Sequence, residues 1–112
     1  MNNSIRSSWG ADGVGGVTIH TFMLRTYASL GVTRDEMMCI IHMSSFYYTQ
    51  PSLSTIAEEM GYDDPASVSD LIRSLEAKGL LIVTKNAEGI STYDASPFFS
   101  ATKDRWSKVG PF

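Results

Sequence analysis

Cysteine is all but missing from this 112-residue chain, since Cys39 stands alone, and with no partner for it an internal disulfide is excluded. Nothing therefore points to an oxidising compartment. Long apolar runs are missing as well. Residues 37–60 carry only Glu58 and Glu59 as fixed charges, but Ser44, Ser45, Thr49, Gln50 and Pro51 interrupt them. No stretch approaches the ~20 apolar residues of a membrane span. Residues 1–16 lack the apolar h-region of a secretory signal, so a cytoplasmic protein is expected. Internal repeats are absent, and the one biased stretch is the glycine-rich lead of Gly10, Gly13, Gly15 and Gly16.

Basic charge is scarce where it would matter most. Residues 1–52 are neutral, residues 53–76 sum to −5, and residues 77–112 sum to +2, giving −3 in all. So acidic a middle segment argues against a general nucleic-acid surface, because Lys and Arg displacing counterions supply most phosphate affinity. Catalytic groupings are also missing. Cys39 sits among apolar residues, as a small buried hydrophobe does. His20 and His42 stand at no metal-ligand spacing to it or to each other, and Glu58 and Glu59 belong to the solvent face of a helix. Gly10–Gly16 neither follows a strand nor ends in Lys-Ser or Lys-Thr, so it is no phosphate loop. No enzyme, cofactor, metal or small-molecule substrate is expected.

What is present is enough for one packed domain: 43% of residues are hydrophobic and 11% aromatic. The six methionines read as core filler. The pattern predicts a flexible arm over 1–16, a folded domain over 17–99, and a tail or short helix over 100–112. Val17-Thr18-Ile19 is β-branched and suits a strand. Met23, Tyr27 and Leu30 follow at helical spacing up to Gly31. Thr33 and Glu36 form the capping-box signature of a second helix, which runs through Met37, Ile40, Ile41 and Ser44 to about Tyr47.

Ser52 is a suitable N-cap for a third helix with Leu53, Ile56, Ala57 and Met60 on one face, ending at Gly61. Asp64 and Pro65 suit the N-cap and N1 of a fourth, with Val68, Leu71, Ile72 and Leu75 facing inward and Gly79-Leu80 as its stop. A β-rich run, Leu80–Thr84, a polar turn at 85–89 and a return over Ile90–Asp94 then describe a hairpin. Ser96-Pro97 closes the strand, and Phe98 and Phe99 anchor a last turn. The predicted class is mainly α with a small β-hairpin: a winged helix-turn-helix.

On these residues the chain resembles the amino-terminal winged-helix domain of DnaD-like replication proteins, which are primosome components and phage or plasmid replisome organisers. The resemblance is carried by Val17-Thr18-Ile19, by Leu30-Gly31-Val32-Thr33 with Glu36, by residues 52–61, by Leu75-Glu76-Ala77-Lys78-Gly79-Leu80-Leu81, and by the ending Tyr93-Asp94-Ala95-Ser96-Pro97-Phe98-Phe99. It spans about residues 17–99. The turn Tyr62-Asp63-Asp64-Pro65 is one residue longer than in most such motifs. The resemblance implies self-association through the amino-terminal strand and helices, assembly on DNA during replication initiation, and replication proteins as partners. Cooperative DNA binding, which it implies for a second domain beyond the winged helix, is not expected of this chain.

Two roles follow as expectations. As an assembly module the chain forms a homodimer or higher oligomer, with Val17, Thr18 and Ile19 as a pairing edge and Phe46, Tyr47 and Tyr48 as aromatic anchors. As a duplex reader, weak and non-specific or else a sequence-specific regulator, it uses Ser67, Ser69, Arg73 and Ser74 on the fourth helix with Lys78, Lys85 and Asn86 at the wing. Lys103, Arg105 and Lys108 add phosphate contacts if the tail folds back. Trp9 and Ile5 on the arm are further candidates for docking a partner.

Overall fold

The computed structural model describes residues 19–44 and 51–109. The expectations placed on residues 1–18 and 45–50, and so on Trp9, Val17, Thr18, Phe46, Tyr47 and Tyr48, lie outside the described residues. Helix α1 (Thr21–Thr26) is followed by a 3-10 turn (Ala28–Leu30) and by α2 (Arg34–Ser44), α3 (Leu53–Met60) and α4 (Pro65–Ala77). Strands β1 (Ile82–Lys85) and β2 (Ser91–Asp94) and helix α5 (Ser96–Val109) complete the order. Among the described residues the fold is mainly α with one antiparallel hairpin, in the manner of a winged helix.

Local chemistry sets most of these boundaries. The Thr33 amide donates to Glu36 Oε1 at 2.8 Å and the Glu36 amide to Thr33 Oγ1 at 3.1 Å, so the expected capping box opens α2. Ser52 Oγ accepts from the Thr55 amide at 3.1 Å and Asp64 Oδ1 from the Ala66 amide at 2.9 Å, which starts α3 and α4 where the sequence places them. At the end of α4, Gly79 turns to φ 74° and the Leu80 amide returns to the Leu75 carbonyl at 3.0 Å. That left-handed turn drops buried Leu80 and Leu81 onto the core before the wing begins. The strand therefore starts at Ile82, two residues later than expected.

The core joins Ile40 and Met43 of α2, Ile56 and Ala57 of α3, and Val68, Ile72 and Leu75 of α4 to Met23 and Phe98. Of the four α4 residues expected inside, Leu71 is only half-buried. α2, α3 and α4 pack on one another, and α1 packs on α5. The first helix is shorter than its apolar spacing predicts, because the backbone tightens into a 3-10 turn after Tyr27 before Gly31 reverses it at φ 80°. At the carboxyl end the helix begins earlier than expected. Ser96 and Pro97 do not close the strand with a lone turn; they open α5, whose 14 residues run through the segment expected as a tail or short helix. Asp94 Oδ1 accepts from the Ser96 amide at 2.9 Å, and Pro97 follows at a first-turn position where its missing N–H costs no bond.

Candidate nucleic-acid and assembly surfaces

The fourth helix presents few of the charges expected of a groove reader. Arg73 is exposed, but it forms an ion pair and hydrogen bond with Asp70 one turn earlier, so its positive charge is matched on the same face. Ser67, Ser69 and Ser74 are half-buried. Ser74 stands close enough to the Glu36 carboxylate to help hold its pKa down.

Lys78 departs furthest from its expected role. Its Nζ lies 2.7 Å from Glu36 Oε1 and 2.6 Å from the Gly31 carbonyl oxygen, tying the end of α4 to the start of α2. The Glu36 side chain is 3% exposed and that of Lys78 31%. Burial alone would raise the Glu36 pKa, but hydrogen bonds from Lys78, Ser74 and the Thr33 amide outweigh it and hold the carboxyl below its ordinary range. Lys78 serves the fold, and its separation of 42 residues from Glu36 is why local spacing gives no sign of the pair.

On the wing, Asn86 is also occupied. Its Oδ1 accepts from the Glu88 amide at 2.9 Å and the Ile90 amide at 3.0 Å, shaping the turn that Gly89 completes at φ 83°. Lys85 stands exposed beside it, paired in register with Ser91. Ile82 and Ile90, at 50% and 58% exposure, make the wing more apolar than its expected role in DNA contact suggests.

The surface the sequence did not single out is the α1–α5 layer. Thr26 Oγ1 reaches the Thr102 carbonyl at 3.3 Å, joining the two helices inside the fold. Outside, His20, Phe22, Phe99, Ser100 and Lys103 line a cleft of about 220 Å³. The rings of His20 and Phe22 stack at 5.1 Å and 6°, and Phe99 meets buried Phe98 edge to face at 5.7 Å. Leu24, 56% exposed, stands on the same short helix. Lys103, Arg105 and Lys108, expected in a tail or short helix, are carried by α5. The only sequence signal for this layer was Phe99, Lys103 and Trp106 at helical spacing.

Ile19, the one described residue of the expected pairing edge, is 38% exposed and is not in a strand. Neither histidine forms part of a metal-binding group; among the described residues no cluster of three His, Cys, Asp or Glu side chains exists. His42 Nδ1 instead meets Glu59 Oε1 at 3.0 Å, bridging α2 to α3. Cys39 is fully buried, and burial with the nearby Glu36 charge pushes its thiol up to about 11, far from a nucleophile's range. Among the described residues no helix is long and apolar enough to cross a membrane. A family model described as the DnaD N-terminal domain matches residues 19–100. No curated protein matches the chain.

Proposed function

The chain belongs to the DnaD N-terminal domain family, and from that premise we propose that this replication-protein domain acts in self-association and in assembly on DNA during replication initiation. One observation carries the choice of assembly over groove reading. On α4 and at its junction with the wing, Arg73 is paired with Asp70 and Lys78 with Glu36, so each cation would have to leave a carboxylate to meet phosphate or guanine. Exposed apolar side chains on α1 and the wing, Leu24, Ile82 and Ile90, favour contact with protein. Residues 17–19 and 46–48 remain the segments proposed to form the oligomer contact, with replication proteins as further partners.

Salt titration of binding to unrelated duplexes tests this reading, since each phosphate contact adds about −0.9 to the log–log slope. Weak binding or none at about 50 mM salt agrees with it. Tight, base-dependent binding lost on Arg73→Ala would favour the alternative, a sequence-specific regulator using α4 and the wing.

A further inference from the structure

Charge on the described residues is divided by layer. α3, α4 and their connecting turn carry Glu58, Glu59, Asp63, Asp64, Asp70 and Glu76 against Arg73, whereas α1 and α5 carry Arg25, Lys103, Arg105 and Lys108 against Asp104. Several of these groups are answered inside the fold: Asp70 by Arg73, Lys108 by Asp104, Glu59 by His42, and Asp64 by the Ala66 amide. Glu58 and Asp63 in the first layer, and Arg25 and Lys103 in the second, are exposed and form no ion pair among the described residues. Each couple is also close in space. Glu58 and Asp63 line one shallow cleft at the α3–α4 turn. Lys103 shares a cleft wall with Phe22, and Arg25 stands three positions after Phe22 on α1.

We infer that copies of this chain meet head to tail, the face bearing Arg25 and Lys103 on one copy docking on the face bearing Glu58 and Asp63 on the next. The inference rests on the self-association reading and adds which faces meet. α3 and α4 pack on each other and on α2, whereas α1 packs on α5, so the two couples belong to different layers and a second copy brings them together. Charge complementarity selects the occupant: the carboxylate face calls for a cationic surface, and the chain itself carries one. Because the faces are unlike, the contact is heterologous and leaves one free face of each kind, so it repeats instead of stopping at a pair. Exposed ion pairs are individually weak and are screened by salt, so this contact grows with concentration and disappears at high ionic strength. Residues 17–19 and 46–48 carry no charge, so a contact through them lacks that salt dependence.

Light scattering of the full chain tests this between about 0.01 M salt, where the screening length is about 30 Å, and about 1 M, where it is about 3 Å. The wild-type mass is expected to be at least about twofold higher at the low end, since each repeated contact joins a further copy. Glu58→Lys with Asp63→Lys makes both faces basic, and Arg25→Glu with Lys103→Glu makes both acidic. Each variant alone is expected to keep, at low salt, the mass that the wild type has at high salt. An equimolar mixture is expected to regain the wild-type mass, because each reversed face then meets its opposite on the other variant. Glu58→Gln with Asp63→Asn, which adds no repulsion, is expected to lose the same low-salt growth even if a reversed variant fails to fold. A wild-type mass that does not change with salt, variants that still grow alone, or folded variants whose mixture does not grow overturns the inference. A single-chain mass at every salt concentration removes the self-association reading along with it. An oligomer of equal mass in the wild type and both reversed variants removes the head-to-tail contact only.

Discussion

Lys78 Nζ and Glu36 Oε1 meet at 2.7 Å, and the same ammonium caps the Gly31 carbonyl at 2.6 Å. One cation thereby fixes three things: the loop before α2, the first turn of α2, and the end of α4 from which the wing departs. Removing one member of a buried pair leaves the other uncompensated, at a cost of ~3–5 kcal/mol where both are fully buried. Because Lys78 is partly exposed and Glu36 keeps its bonds to Thr33 and Ser74, Lys78→Ala is expected to cost about 2 kcal/mol in urea unfolding. Glu36→Gln preserves the geometry of the capping box and frees Lys78 toward solvent, so its expected loss is smaller, about 1 kcal/mol.

The same pair makes stability depend on acid. The Glu36 pKa is lowered from an ordinary 4.5 in the folded chain, so its contribution is complete above that value and disappears as pH falls through the folded pKa. Asp94, lowered by bonds from the Ser96 hydroxyl and amide, acts in the same direction at the start of α5. The urea midpoint should fall on acidification below about 4.5 and change less over that interval in Glu36→Gln. A wild-type midpoint that is flat there would contradict this.

Those two residues also show what a sequence discloses and what it does not. Thr33 and Glu36, Ser52, and Asp64 with Pro65 were legible because a cap and its helix lie within four residues, and Gly79-Leu80 was legible for the same reason. Lys78 was not, because its partner is reached only after α2, α3 and α4 have folded together. Ser96-Pro97 read as a stop because proline ends strands, yet it also suits a first helical turn, and Asp94 decides between the two by accepting the Ser96 amide. The spacing of Phe99 and Lys103 shows a helix but not the α1–α5 cleft, because the packing of the first helix on the last brings together residues about eighty positions apart in the chain.

Cys39 is expected to resist thiol reagents in the native state. Burial and a pKa of about 11 leave little thiolate and no access at pH 8, so labelling by a disulfide reagent should require unfolding. Rapid native labelling at that pH would show that α2 opens locally.

Gly79 occupies φ 74°, and apart from its own and its chain neighbours' atoms nothing lies within 4 Å of where a Cβ would stand, so the cost of Gly79→Ala is that of the backbone conformation. The left-handed conformation alone should cost ~1–2 kcal/mol. Urea denaturation measures it; a neutral effect would mean the turn before the wing relaxes freely.

The central claim, that this domain works by assembling with copies of itself, is tested most directly by light scattering of the full chain over a wide concentration range. A dimer or larger species is predicted, with the same mass in Arg73→Ala and Lys85→Ala. A particle that keeps the mass of a single chain at the highest concentration would contradict it.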